Sequence, residues 1–446
     1  MEKIYSLGTW FYEDYDTINR VNYEQKYKQF TGILQYWKCK NLNILERIRI
    51  VKTYALSKLH YILSCLETSQ EFLETVQNDI NNFIWNSKTP KIKQQVAHNN
   101  IIKGGLSIPK LDNFVEANRV TWIKRLLDVN NRNMQYLSIF LKIPFEHFIR
   151  CSFHPADLSE NIPKFYREIL AAWFKSKKEP SEPAEIRMEY VIFNKYIQID
   201  RKYITNMSLF NNQAIILNDF LTNTGSPLSY QTFCDQKGKI ISNFKYMCII
   251  DAIPPNWKAR LKNEENYTCQ LHETPTILLN NNTKKNITLV KSKEIYWSTI
   301  QSTPIYPSCV KTWNNVFELE YDDKKWETIF ALPFKCVPDV KIRDMQIKIL
   351  HRFYPTQSLV SKWDKETTEI CYICNEHKAD LIHTFSACRH LEIFWKAVTD
   401  LLEPILFKYT HYINKEIIIF GILPYTVGNH CINHCMLYCK YFFHIE

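Results

Sequence analysis

Glycine is scarce in this 446-residue chain, with only 8 present. Tight hairpin turns lean on glycine, so a sheet-rich fold is not expected. No G-x-x-x-x-G-K-[ST] loop is present to cradle a nucleotide phosphate, and neither G-x-S-x-G nor H-E-x-x-H occurs. Long apolar runs are also missing. The longest lies near "IIIFGIL" and is interrupted by Gly421, well short of the roughly 18 residues that a membrane span needs, so no membrane association is expected. The start, "MEKIYSLGTWFYEDYD", has no charged-then-apolar leader and soon turns acidic. A reducing compartment, cytoplasmic or nuclear and not secretory, is therefore expected. There the 14 cysteines read as metal ligands or buried thiols in preference to disulfides.

What is present is apolar and basic. The chain is 46% hydrophobic and 14% aromatic, which is globular composition, and it is rich in Leu, Ile, Lys and Asn. The reading is a mainly α fold with minor β: a multi-domain helical protein with a short amino-terminal strand and a small zinc-stapled carboxy-terminal module. Formal net charge is +10. That is either ordinary colloidal charge or the footprint of a polyanion partner, and its distribution has to decide.

"KIYSLGTWFYE" reads as one strand or two with Gly8 as the bend. In "LNILERIRIVKTYALSKLHYILSCL" the residues Leu45, Ile48, Val51, Ala55, Leu59, Ile62 and Leu66 recur at helical spacing. Arg47 and Lys58 flank one side of this stripe, and Arg49 and Lys52 the other. From Lys26 to Lys58 there are eight basic residues against one acid, Glu46. The sharper reading is a phosphate-binding surface; the plainer one is a solvated helix face. Lys88, Lys91 and Lys93 precede Gly104-Gly105, the only glycine pair, which permits a sharp loop. Helix resumes through Leu111, Phe114, Val115, Trp122, Ile123 and Leu126. Further on, "FYREILAAWF" and "AIILNDFL" read as helices, "KSKKEPSEPAE" as a linker, and "YIQIDRKYIT" as a small hairpin. The polar run Asn280–Asn286 is placed at a domain boundary. Helices are also expected in "SKEIYWSTIQS", "VKTWNNVFEL" and "DVKIRDMQIKILHRFY", the last carrying Lys341, Arg343, Lys348 and Arg352.

The strongest chemical signal is C-x2-C-x8-H-x4-C: Cys371, Cys374, His383 and Cys388. Three thiolates and an imidazole suit tetrahedral zinc, and four protein ligands leave no open position, so the site reads as structural. Arg389 could offset the net negative charge of such a complex. His377 competes as a ligand through C-x2-C-x2-H, and a set of buried thiols without metal is the plainer alternative. After the cluster, Leu391, Phe394, Trp395, Val398, Leu401 and Leu402 form another apolar stripe. A second group, Cys431, His434, Cys435 and Cys439, could also bind metal. It reads more simply as an apolar helix using cysteine as a small hydrophobe. The only Asp-Asp, Asp322-Asp323 in "ELEYDDKKW", lacks both the Y-x-D-D spacing and flanking hydrophobic strands, and reads as a solvated turn.

Taken in order, "YSLGTWF", "ILERIRIVKTYALSKLHY", "FIWNSKTPKIK" with "KGGLSIPKLDNFVEANRVTWIKRLL", "AAWFKSKKEPSEPAEIRMEYVIFNKYIQID", and "ILHRFYPT" before Cys371–Trp395 resemble the part of LINE-type (non-LTR) retrotransposon proteins that follows the polymerase palm. The resemblance implies a primer-grip-like strand and thumb-like helical region over 1–130. It implies a wrist-like helical region over 131–288 and a helical zinc-binding domain over 289–446, with the CCHC set at 371–388. The family's endonuclease and its palm with the Y-x-D-D box are not matched, so the chain is expected to be the last third of a longer reading frame. The implied function is to hold element RNA or target DNA during target-primed reverse transcription, with no catalytic centre of its own. Nucleic acid is the expected partner and element-encoded proteins are further ones. The alternative is a zinc-stabilised protein-interaction module, or a decayed element product, without a nucleic-acid role.

Overall fold

The computed structural model describes residues 3–87, 89–128, 136–262, 275–279, 284–301, 305–406, 413–421 and 430–445. Its amino-terminal residues form a hairpin of β1 (Ile4–Ser6) and β2 (Thr9–Phe11), antiparallel with Tyr5 opposite Trp10. Leu7 and Gly8 both take positive φ at the turn. The hairpin is pinned by a buried side chain: Asn22 accepts from the Trp10 N–H and donates to the Trp10 carbonyl, both at 2.8 Å. Asn22 lies on α1 (Tyr15–Lys38), whose N-cap Asp14 accepts from the Thr17 N–H.

The expected basic helix divides into α2 (Ile44–Ile50), a π turn at Val51–Ala55, and α3 (Leu56–Cys65). The Leu56 N–H reaches back five residues to the Val51 carbonyl. Such a turn has no sequence period of its own, so the continuous stripe did not announce it. Ile48, Val51, Ala55, Leu59, Ile62 and Leu66 are all buried, as that stripe requires. There follow α4 (Gln70–Trp85), α5 (Gln94–His98), α6 (Leu111–Leu126) and α7 (Lys164–Ser176). A hairpin of β3 (Gln198–Ile199) and β4 (Lys202–Tyr203) comes next, then a strand pair, β5 (Thr276–Leu278) with β6 (Lys284–Asn286). The remaining helices that matter here are α8 (Ser292–Gln301), α9 (Ser308–Phe317), α10 (Asp323–Cys336), α11 (Val340–Leu350), α12 (Arg389–Leu406), α13 (Lys415–Phe420) and α14 (His430–Ile445). The chain is mainly helical with minor β. No helix among the described residues is long and apolar enough to cross a membrane.

Several local expectations are corrected. Within "KSKKEPSEPAE" a short helix begins at Pro183, and "AIILNDFL" holds a 3-10 turn at Leu217–Phe220 in place of an α-helix. The described end of the polar run 280–286, from Lys284, is strand β6. Asp322 is the N-cap of α10, accepting from the Lys325 N–H, so Asp322-Asp323 starts a helix instead of sitting in a free turn. Leu401 is exposed while Trp395, Val398 and Leu402 are buried.

The chain forms two compact units, Met1–Ile62 with Ser69–Lys110 and Thr303–Glu446, and Leu63–Thr68 with Leu111–Ser302. These limits do not follow boundaries at 130 and 288. Helix α6 belongs with the middle of the chain, and the α1–α5 region shares one unit with the segment that holds the Cys/His set. Polar contacts join the two segments, beside ring contacts such as Trp85 with Phe353. Asp344 of α11 accepts from the Ile44 N–H at the start of α2, where a carboxylate suits the helix dipole. Asn99 donates to the Ile305 carbonyl at 3.0 Å, and Lys103 pairs with Glu327. The glycine pair sits at the same junction. Gly104 has φ of 73°, and a Cβ there would lie 2.5 Å from the Pro307 ring; a Cβ on Gly105 would lie 2.0 Å from the Asn99 carbonyl oxygen. In the second unit Arg119, almost fully buried, donates to the Leu63 and Leu66 carbonyls at the end of α3 and pairs with Glu168 at 2.9 Å.

Candidate metal centre and basic surface

The loop before α12 is built to bring four donors together. The Cys371 N–H donates to the His377 carbonyl at 2.8 Å, and the Asn375 N–H to the Cys371 carbonyl at 2.7 Å. Asn375 takes a left-handed φ of 57°, and Ile370 pairs with Lys378 in an antiparallel bridge. This tight knuckle sets Cys371 and Cys374 side by side. The second half comes from the end of the loop. Asp380 accepts from the His383 N–H at 2.8 Å, a π turn spans His383–Ala387, and Cys388 stands directly before α12.

Cys371, Cys374, His383 and Cys388 are all buried, and their ligand atoms lie within 4.8 Å of one another. Cys374 Sγ and His383 Nε2 are 3.4 Å apart. A tetrahedron with metal–sulfur bonds of about 2.3 Å and a metal–nitrogen bond of about 2.05 Å has S–N edges of about 3.5 Å. The donor set can hold one metal ion, and its spacing and chemistry are consistent with zinc. Burial acts to raise the Cys374 thiol, but the Glu376 and His377 N–H groups and the neighbouring thiols outweigh it and draw it below its ordinary value. Burial also lowers His383, favouring the neutral imidazole that a ligand must be. Cys388 is raised by burial, with the His390 N–H opposing. His377 lies beside the set, its ring 5.6 Å from that of His383, and contributes its backbone carbonyl to the knuckle. Arg389 is exposed and paired with Glu376 at 2.6 Å, so its charge is already engaged.

The second Cys/His group does not converge. Among the described residues only the first set clusters. Cys431 and Cys435 are exposed, so the reading of all these cysteines as core hydrophobes is corrected; α14 buries Ile432, Met436, Leu437 and Lys440 instead. His434 Nδ1 bonds the Cys336 carbonyl at 2.8 Å.

The basic residues separate by environment. Arg47 is buried and turned inward, which corrects its assignment as a free shoulder of the helix. It donates to the Phe83 carbonyl at 2.8 Å and the Leu42 carbonyl at 3.0 Å, with its guanidinium 5.6 Å from the Phe83 ring centre. Phe83 lies in the last turn of α4, whose carbonyls lack helical partners, and a cation there also suits the dipole. Arg49, Lys52 and Lys58 are exposed, as are Lys91 and Lys93; Lys88 lies outside the described residues. Lys52 is crowded enough that desolvation lowers its ammonium despite its exposure. On α11 most charge is spent internally. Lys348 pairs with Asp344, and Arg343 donates to the Val337 carbonyl. Beyond the helix end, Arg352 sits 4.5 Å from the Trp313 ring centre.

Sequence reading did not single out Tyr36, Trp37 and Tyr54, which gather on the surface near Lys58. The available signal was Gly32 four residues before Tyr36 on a helix otherwise rich in long side chains. No protein-family model matches the chain.

Proposed function

We propose that this chain is the nucleic-acid-binding carboxy-terminal part of a LINE-type retrotransposon reverse transcriptase. It holds element RNA or target DNA during target-primed reverse transcription and has no catalytic centre of its own. A structural zinc ion on Cys371, Cys374, His383 and Cys388 fixes the terminal module. The observation that carries the reading is the bare cationic edge of the α2–α3 segment. Arg49, Lys52 and Lys58 are exposed there, and the one acid between Gln25 and Leu66, Glu46, is committed to a capping box with Asn43. Lys28, Lys38 and Lys40, on α1 and just past its end, extend the exposed charge of the same sign.

The test is binding of labelled RNA and DNA across a salt series. Affinity should fall steeply with ionic strength. Changing Arg49, Lys52 and Lys58 together to Gln should reduce the log–log slope by about 1 for every phosphate that is no longer neutralised, for all sequences alike. The second reading, a zinc-stabilised protein-interaction module, draws on the exposed Ile393 and Leu401 of α12. Salt-independent or undetectable nucleic-acid binding would favour it.

A further inference from the structure

We infer that the groove between α1 and the α2–α3 segment is a stacking site for unpaired nucleotides, which rests on the nucleic-acid reading above. Lys28, Gly32, Ile33, Tyr36, Trp37 and Lys58 line this groove, and among the described residues no carboxylate does. Three aromatic rings form a connected surface beside it. Trp37 stacks on Tyr54 with ring centres 6.2 Å apart and planes at 25°. Tyr36 meets Trp37 edge-on at 5.5 Å and 89°. Tyr36 is 64% exposed and Tyr54 53% exposed, so these rings are not consumed by the core. Lys40 reaches to 5.7 Å from the Tyr36 ring centre.

Two local features place the rings there. The π turn belongs to the same run as Tyr54 and leaves Lys52, Thr53 and Tyr54 consecutively exposed above the buried Val51 and Ala55. Gly32 provides the space. It sits inside α1, where glycine is unfavourable, and a Cβ built on it meets no atom of the described residues within 4 Å. A helix-interior glycine with open space in front of it leaves an open gap in the groove lining one turn from Tyr36.

Aromatic faces bordered by cations suit one occupant in particular. Unpaired bases offer free π-faces to stack, and their phosphates answer the lysines; in a duplex the base faces are already covered by neighbouring pairs. The absence of a lining carboxylate supports a polyanion over a basic or neutral peptide. RNA and DNA single strands share this chemistry, and the two are separated by comparing strands of equal sequence.

The test measures anisotropy of a labelled oligothymidylate, an oligouridylate and a matched duplex with the full-length chain, using strands of about 12 nucleotides. Gly32→Leu should fill the gap without harming α1, because Leu is the better helix former, so the melting temperature should not fall. It should weaken single-strand binding by about 10-fold or more, as should Tyr36→Ala, with duplex binding changed by less than about 2-fold. A 2-aminopurine placed in the strand should be quenched by the parent and less so by Tyr36→Ala. If both variants bind single strands like the parent while the Arg49, Lys52 and Lys58 variant is weakened, the groove inference fails and the broader reading stands. Equal weakening for duplex and single strand would also overturn the inference. So would a Tyr36-dependent self-association with strand binding untouched, which would make the groove a protein contact. If the parent binds no nucleic acid at low salt, both readings fail together.

Discussion

Arg47 Nη1 donates a 2.8 Å hydrogen bond to the Phe83 carbonyl, so a cation from α2 closes the carboxyl end of α4. Changing Arg47 to Gln shortens the reach and leaves the Phe83 and Leu42 carbonyls without this donor. The expected cost is about 2–3 kcal/mol of stability, measured by urea unfolding, since hydrogen bonds from charged groups are worth about 1.5–3 kcal/mol each. Arg49→Gln, on an exposed neighbour, should change stability by less than about 0.5 kcal/mol. Equal effects from the two would mean that Arg47 is not a structural cap.

Cys371→Ser should remove bound metal from the protein and loosen the knuckle, because binding free energy at such a site is also folding free energy. Elemental analysis of the purified protein gives the count: one zinc per chain for the parent and none for the variant. Cys435→Ser, exposed on α14 and away from the cluster's donor set, should leave the count unchanged. Undiminished zinc in Cys371→Ser would disprove the ligand assignment.

Gly105→Ala should be far more harmful than Gly8→Ala. The added carbon at position 105 would sit 2.0 Å from a backbone oxygen that cannot step aside cheaply. At Gly8 no atom of the described residues lies within 4 Å, and among them only the positive φ opposes a side chain. Losses of about 3 kcal/mol or more are expected for the first and about 1 kcal/mol for the second. Comparable unfolding midpoints for the two variants would contradict this packing account.

Lys440 predicts a pH dependence. Its Nζ is buried and donates to Gln346 Oε1, the Ile418 carbonyl at 2.8 Å and the Ile419 carbonyl at 3.0 Å. Burial pushes it down to about 7. An unfolded lysine titrates near about 10.4. Between those values the unfolded chain holds the extra proton, so this residue makes stability rise with pH above about 7, and below that its cost is fully present. In Lys440→Met the rise between about pH 7 and pH 9 should flatten relative to the parent, read from melting temperatures. The variant should also lose stability at the upper end, where Gln346 Oε1 and the Ile418 carbonyl lose this donor while the Ile419 carbonyl keeps the Gln346 amide. Parallel curves for the two proteins would show that Lys440 is not the titrating group.

Several features were legible from the sequence alone because their physics is local. Helical stripes such as Ile48, Val51, Ala55 and Leu59 repeat at the helix period, and the residues are buried accordingly. Gly8 marked a hairpin bend because few residues accept its backbone angle. The spacing of Cys371, Cys374, His383 and Cys388 sets how far each donor can lie from the next, and the four converge within 4.8 Å. Tertiary structure decided the rest. Arg47 and Arg49 have equal standing on a helix diagram, yet only Arg47 faces the carbonyls at the end of α4, and the partner Phe83 lies 36 residues away. Gly104 showed its purpose as a turn former, but the need for Gly105 depends on the Asn99 backbone passing against it. The exposed cysteines of α14 and the pairing of Tyr54 with Trp37 depend in the same way on which faces of each helix other segments cover. Local spacing determines which side chains share a face; only the packing of distant segments determines whether that face meets a carbonyl, a core or solvent.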